Sequence, residues 1–401
     1  MHIQSLSLRQ FRLYHRLELD LPAAPILLLG ANAQGKTSLL EAIAYLSTGN
    51  SPLTHIDRHL IHWQAVEAGM PFAHLKTEVV RDRGREQIEI ALEQQQLSNG
   101  RTRLKKQVQI DQHRIRVSDL AGHLNTVIFL PEDMALVSGS PSGRRRHLDD
   151  LLSQVYPAYV EASKEYGSAV SRRNALLRHL RDHGGDPAQL APLEETLVRT
   201  GVAISLYRRR VIRALNFHAD PIHQELTGGA AWLKLKYEPN FDPLRPPALD
   251  YQIDLLPDAT NNEPVDVASL REAYAEALRR RRAREIERGV TLLGPHRDEL
   301  RFISKRVDLG TFGSRGQQRT TVLALRLAEL RWLEQETGES PILLLDEVLA
   351  ELDSQRRRYL LAQLGGVEQT ILTTTDAEMF PASFRHRALS LRVTDGIIAS
   401  A

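Results

Sequence analysis

The 401-residue chain contains no cysteine, which excludes disulfides and thiolate metal sites and fits a reducing compartment. It also lacks any apolar run near the ~18 residues that a membrane-spanning helix needs. The longest runs, such as Ile26 to Leu29 and Ile342 to Leu345, have the length of buried strands. The first residues, Met1-His2-Ile3-Gln4, show no basic-then-apolar leader, so the expectation is a cytoplasmic protein without membrane association. A large charge of one sign is missing too. Lys and Arg number 52 against 50 Asp and Glu, a formal net charge of +2, so the molecule as a whole is not a basic adhesive for nucleic acid.

What is present is 42% hydrophobic and 25% charged residues, an ordinary globular composition in a chain long enough for two or three domains with cores of their own. The positive charge is clustered: Arg144-Arg145-Arg146, Arg172-Arg173, Arg208-Arg209-Arg210, and Arg279 to Arg282 with Arg284. One such cluster is usually a solvated helix face. Several in one region favour a surface that faces phosphates.

Residues 3–21 alternate, with Leu17, Leu19 and Leu21 on one face of a hairpin strand. Ile26 to Leu29 is a strand covered on both faces, and a helix from Lys36 to about Leu46 follows a glycine-containing loop. Leu75/Thr77/Val79 and Ile88/Ile90/Leu92 form an antiparallel pair around Asp82-Arg83-Gly84. From about 142 the period becomes helical. Tyr159, Ala162, Tyr166, Ala169, Arg173, Leu176 and Leu180 step by three and four, Gly184-Gly185-Asp186-Pro187 breaks the run, and Leu193, Leu197, Thr200, Ile204, Tyr207 and Val211 resume it. This spacing predicts an antiparallel helical hairpin, a short coiled coil. Tyr156-Pro157 kinks or restarts its first helix. Two short alternating runs (Leu233/Leu235/Tyr237 and Tyr251/Ile253/Leu255) lie in a Pro/Asn/Asp-rich stretch, a basic helix spans 267–288, and strand–helix alternation returns after Gly289.

Three motifs carry chemistry. Gly30-Ala31-Asn32-Ala33-Gln34-Gly35-Lys36-Thr37 matches G-x-x-x-x-G-K-[ST] in full, between an apolar strand and a helix. Its backbone N–H groups suit phosphates, Lys36 the β/γ oxygens, and Thr37 a Mg²⁺ ion, so ATP with Mg²⁺ is the expected ligand. Ile342-Leu343-Leu344-Leu345-Asp346-Glu347 is an apolar strand ending in two acids, at the carboxyl end where α/β sheets bind ligands. Asp346 is expected to hold the Mg²⁺ hydration shell and Glu347 to polarise the attacking water. Between these motifs, Phe312-Gly313-Ser314-Arg315-Gly316-Gln317-Gln318 precedes a helix over 320–333. Ser314 either caps that helix or opens a second anion site, similar to the signature loop of ABC-type ATPases, with Ser314, Gly316 and Gln317 facing the γ-phosphate of another subunit.

Over nearly its whole length the chain resembles the RecF family. The resemblance rests on residues 30–43, and on Pro131-Glu132, Leu136-Val137, Gly139-Ser140-Pro141, Arg144-Arg145 and Leu148-Asp149. It continues at Thr291 and Gly294-Pro295-His296-Arg297-Asp298, and at Leu343-Leu344, Asp346, Ala350-Glu351-Leu352-Asp353, Arg356 and Leu360. It implies an α/β P-loop ABC-type ATPase head with an inserted helical arm: residues 1–135 and 286–401 as the two parts of the head, 136–285 as a DNA-binding or dimerisation arm. It further implies a weak, DNA-stimulated ATPase of recombinational repair and replication. ATP would close a homodimer on double-stranded DNA near single-strand gaps, with Asp353 near the nucleotide and RecR and RecO as partners in placing RecA. Arg144, Arg145, Arg172, Arg173, Arg208 and Arg209 are the candidate DNA contacts.

The chain also departs from the family pattern. His147 replaces a Phe or Tyr, Ser51-Pro52-Leu53 replaces Ser-x-Arg, and Leu372-Thr373-Thr374-Thr375-Asp376 lacks the switch histidine of transporter cassettes. The group that senses γ-phosphate and a Q-loop glutamine therefore stay unassigned, and His296 reads as structural or DNA-facing more than catalytic. Among rival readings, another SMC-like ATPase needs a longer coiled coil than 142–215 provides. A transporter ATPase subunit needs the switch histidine, and a small-molecule kinase leaves the Ser314 loop unexplained.

Overall fold

In the computed structural model, which describes residues 1–69, 71–96, 102–241 and 266–400, the chain begins with β1 (His2–Phe11), β2 (Tyr14–Asp20), β3 (Pro25–Leu29), α1 (Lys36–Thr48), α2 (Trp63–Glu67), β4 (Phe72–Arg81), β5 (Gly84–Gln96), β6 (Thr102–Ile110), β7 (His113–Ile115) and β8 (Thr126–Phe129). A mainly helical stretch follows: α3 (Met134–Ser138), α4 (Pro141–Ser153), α5 (Pro157–His183), α6 (Ala191–Leu226), β9 (Lys234–Glu238) and α7 (Val267–Arg288). The last part holds β10 (Glu299–Ser304), β11 (Val307–Asp308), α8 (Leu309–Phe312), α9 (Arg315–Thr337), β12 (Ile342–Asp346), α10 (Ser354–Gln363), β13 (Thr370–Thr374), α11 (Ala382–Arg387), β14 (Leu389–Thr394) and β15 (Ile397–Ser400). The run Tyr251/Ile253/Leu255 lies outside the described residues.

Two sheets form the head. One is antiparallel, in the order β2-β1-β4-β5-β6-β7; the other, β15-β14-β3-β13-β12-β8, is parallel except at the β14–β15 hairpin. The continuous apolar strands follow from the position of the second sheet between two cores. Ile26 and Leu28 of β3, with Ile342 and Leu344 of β12, pack on one side with α1 and the inner face of the antiparallel sheet. Leu27, Leu343 and Leu345 point the other way, into a core shared with α9 and the base of the helical stretch. Because side chains alternate across a strand, both parities must be apolar.

The helical stretch leaves the head after β8 and returns through β10. Pro157 occupies the first turn of α5, so the chain restarts a helix there instead of kinking one. The α5–α6 hairpin forms around residues 184–190, and a third helix joins it. The third helix, α7, ties to both: Glu285 accepts from Arg173 of α5 at 2.7 Å, and Arg282 donates to Glu194 of α6. The buried face of α5 also shifts by one residue at its outer end, from Leu176 to Leu177.

Candidate nucleotide site

The P-loop joins β3 to α1 through one left-handed turn and one close backbone approach, each at a glycine. Gly35 has φ 108°, open to glycine alone without strain. At Gly30, a Cβ would lie 2.5 Å from Val393 O of β14. The loop is also held from outside. Tyr14 donates its hydroxyl to Gly35 O at 2.9 Å, and burial raises that phenol above its ordinary pKa, so it stays a donor. Arg12 reaches Glu41 of α1 with two bonds of 2.7 Å, tying the β1–β2 turn to the helix. Gln34 does not aim into the loop: its side-chain oxygen accepts from Asp395 N at 2.7 Å, and its carbonyl accepts from Gly396 N at 3.1 Å.

The other motif residues converge here. Lys36 is buried, with Nζ 2.6 Å from Gly30 O, 2.9 Å from Ala31 O and 3.0 Å from Glu347 Oε1. Thr37 donates to Asp346 Oδ2 at 2.7 Å, although 309 positions separate them. A hydroxyl and a carboxylate brought together at the end of a parallel sheet are a hard-oxygen donor pair of the kind that holds Mg²⁺ with several waters, so the residues fit that ion. Ala31, Asn32 and Ala33 are exposed at the loop's outer edge.

Ser314, Gly316 and Gln317 are not part of this cluster. They lie exposed at the start of α9, where Ser314 and Gln317 form a reciprocal capping box. The helix begins at Arg315, five residues before the sequence-based start, because that cap satisfies its first N–H groups. Phe312, beside the loop, is 75% exposed. Asp353 caps α10 by accepting from Arg356 N at 2.9 Å and makes an ion pair with Arg356; it too stands apart from Lys36 and Asp346.

The family model described as RecF/RecN/SMC N terminal domain matches residues 2–397. The DNA replication and repair protein RecF of Chloroflexus aurantiacus is 41% identical over 405 residues, covering 99% of each chain. The RecF of Bacillus subtilis is 37% identical over 99% of this chain and 100% of its own. The chain belongs to the RecF family. A solved RecF–ATP structure from the RecFOR pathway superposes with a TM-score of 0.83 at 27% identity, over 100% of this chain and 97% of that one. An Smc head bound to a ScpA winged-helix domain shares the fold alone, at 15% identity and a TM-score of 0.51.

Several family-pattern residues outside the nucleotide site, among them Asp149, Thr291, Pro295 and Asp298, partner buried arginines, which corrects the reading of Arg173 and Arg208 as DNA contacts. Arg173 is 0% exposed and donates to Thr291 Oγ1 at 3.0 Å, Glu194 at 2.8 Å and Glu285 at 2.7 Å. Burial alone would raise Glu194, but bonds from Arg282 and Arg173 outweigh it and hold its carboxyl below the ordinary range. Arg208 is 4% exposed, bonded to Asp149, Pro295 O, Tyr159 and Asp298. Neither guanidinium faces solvent. Arg144 is buried as well and bidentate to Glu299 at 2.8 and 3.0 Å, so it too is corrected as a DNA contact; Arg145 donates to Asp298 O at 2.8 Å. Arg172 is exposed, and Arg209 is half-buried beside Gly201, Ser205, Tyr274 and Gly294. His296 is structural: Tyr166 Oη lies 2.7 Å from Nδ1 and Thr291 O 3.2 Å from Nε2. These contacts suit a neutral ring, and burial pushes its pKa down to about 4.

The two other departures also acquire partners. His147 lies 2.6 Å from Glu329, inside a buried cluster where Arg326 bridges Glu329 and Asp133. Arg146 reaches from α4 to Ser51 O at 2.5 Å, bringing a guanidinium to the segment that lacks the family's arginine. Tyr14, Arg12 and these cluster residues had no local sequence signal, because their partners are far away in the chain.

Proposed function

We propose that the chain is an ATP-gated DNA-binding ATPase of recombinational repair that works as a homodimer. The observation that carries this reading is the division of the phosphate-binding parts. Lys36, Thr37, Asp346 and Glu347 make one connected cluster, while the exposed Ser314 loop, a second helix N-terminus suited to anions, stands outside it. A second copy would supply its Ser314, Gly316 and Gln317 to the γ-phosphate bound at the first copy's P-loop.

In this reading Lys36 exchanges its carbonyl and Glu347 contacts for the β/γ oxygens, and Thr37 with Asp346 holds Mg²⁺. Bound there, the ion would supply neutralisation of the charge that develops on the transferred phosphoryl group. Glu347, freed from Lys36, orients and deprotonates the attacking water. Hydrolysis removes the γ-phosphate that joins the subunits, so slow turnover times residence on DNA. Support for DNA as ligand comes from the RecF relatives and from the arm: Arg172, Arg178, Arg281, Arg284 and Arg288 are exposed and make no ion pair among the described residues. RecR, RecO and, through them, RecA are the partners in this reading, in keeping with the RecFOR pathway named for the solved relative, and the cytoplasm is its location.

The test is sedimentation with and without ATP, then binding to gapped duplex DNA. ATP should convert monomer to dimer and strengthen DNA binding. Ser314→Arg should bind ATP as a monomer and fail to dimerise, because the side chain fills the space for the second copy's phosphate. A normal ATP-dependent dimer in that variant would leave Ser314 as a helix cap and nothing more.

A further inference from the structure

The sequence offers no switch histidine after the Asp-Glu strand, and the structure shows what stands in that part of the site. β13 lies between β3 and β12 in the parallel sheet, with Thr373 in register with Asp346 on one side and Leu28 on the other. The Thr373 side chain is 3% exposed. Its hydroxyl donates to Asp346 Oδ1 at 2.6 Å and accepts from Glu347 N at 2.9 Å. One hydroxyl therefore holds both acids by different atoms.

Each bond has a specific consequence. Asp346 has two oxygens: Thr37 occupies Oδ2 and Thr373 occupies Oδ1, which fixes the rotation of the carboxylate at the end of β12. Glu347 has φ 52°, the left-handed region. That conformation costs a non-glycine residue about 1–3 kcal/mol and persists only when its surroundings hold it. The bond from its N–H to Thr373 is such a restraint. It turns the chain so that Glu347 Oε1 meets Lys36 instead of continuing the strand direction. The neighbouring residue ties the same strand to the phosphate loop, since Gly30 N donates to Thr374 O at 3.3 Å.

We infer that Thr373 is a positioning residue for phosphoryl transfer: its hydroxyl sets Asp346 for the metal shell and Glu347 for the attacking water without touching either reactant. This rests on the ATPase reading above. Partners that orient a ligating carboxylate are typically worth 10–100-fold in metal affinity or activity. Val keeps the β-branched shape and removes both hydrogen bonds; Ser keeps both.

The experiment uses the full chain and three readouts: binding of a fluorescent ATP analogue in EDTA, the Mg²⁺ concentration that half-saturates nucleotide-dependent dimerisation, and turnover. Thr373→Val should bind the analogue normally in EDTA, need about 10-fold more Mg²⁺ and turn over 10–100-fold more slowly. Thr373→Ser should recover most of both losses. If Val does not fold, Thr373→Cys replaces it, being close to Ser in shape with a weak donor, and should behave as Val. Wild-type Mg²⁺ dependence in Thr373→Val (or its Cys replacement), or a Ser variant as impaired as Val, overturns the inference. Failure of the ATPase reading looks different: the wild-type chain itself would then show no turnover above that of Glu347→Gln.

Discussion

The phosphate site and the helical arm contain the same kind of sequence signal, charged residues in short clusters, yet the fold treats them in opposite ways. At the phosphate site, Lys36, Thr37, Asp346 and Glu347 stand within 3.0 Å of one another in pairs. On the arm, adjacent arginines separate: Arg172 is exposed while Arg173 is buried against two carboxylates. The difference is one of backbone against side chain. A P-loop works through N–H groups and a helix start whose geometry the local sequence fixes, so its motif carries its own orientation. Successive residues on a helix point about 100° apart, and only the packing partner decides which of them faces inward.

The comparison breaks first at Glu347. If the phosphate cluster is catalytic, Glu347→Gln should retain ATP binding and slow hydrolysis by roughly 10²–10⁴-fold, the usual loss of a general base. Single-turnover phosphate release measures it, and wild-type turnover would reduce the cluster to a structural ion pair. Second in size is Arg173→Ala, which leaves Glu194 and Glu285 buried without their shared cation. Breaking a buried pair costs about 3–5 kcal/mol, read from denaturant unfolding. A loss below 1 kcal/mol would return Arg173 to the surface reading.

His296 gives a smaller, pH-dependent effect. Its pKa falls from 6.5 to about 4 on folding, so between those values the unfolded chain binds the extra proton. The stability it contributes is complete above pH 6.5 and is lost as pH falls toward 4, by up to about 3 kcal/mol. Unfolding of His296→Gln across that window should show a shallower pH slope; an unchanged slope would place the titration elsewhere. The smallest effect belongs to the outward arginines. Arg172→Ala with Arg178→Ala should weaken DNA binding alike on all sequences and flatten the salt dependence by roughly 0.9 per lost phosphate contact. Stability should not change, in contrast to Arg173→Ala. An unaltered slope would leave these two as solvated helix positions.

Much of the head was legible because its signals are local or periodic. The alternation of Leu75/Thr77/Val79 against Ile88/Ile90/Leu92 pairs as expected, Leu75 with Ile90 and Thr77 with Ile88. The doubly apolar β3 and β12 lie between two cores. The helix at 267–288 is present, but its role as the third member of the arm was not legible. Its contacts to Arg173 and Glu194 cross about 90 to 110 residues of chain, and no periodicity within α7 names those partners.

The sequence by itself determined the phosphate loop, the acid-ended strand and the family, because each depends on backbone geometry or spacing encoded within a few residues. Tertiary structure alone decided that Thr37 and Thr373 share the two oxygens of Asp346, and that Arg173 and Arg208 turn inward while Arg172 stays in solvent. Those outcomes depend on which strands become neighbours and which carboxylates are buried. A buried charge or hydroxyl takes the orientation in which its hydrogen bonds are satisfied, and partners 21 to 309 positions away are supplied only by the folded chain.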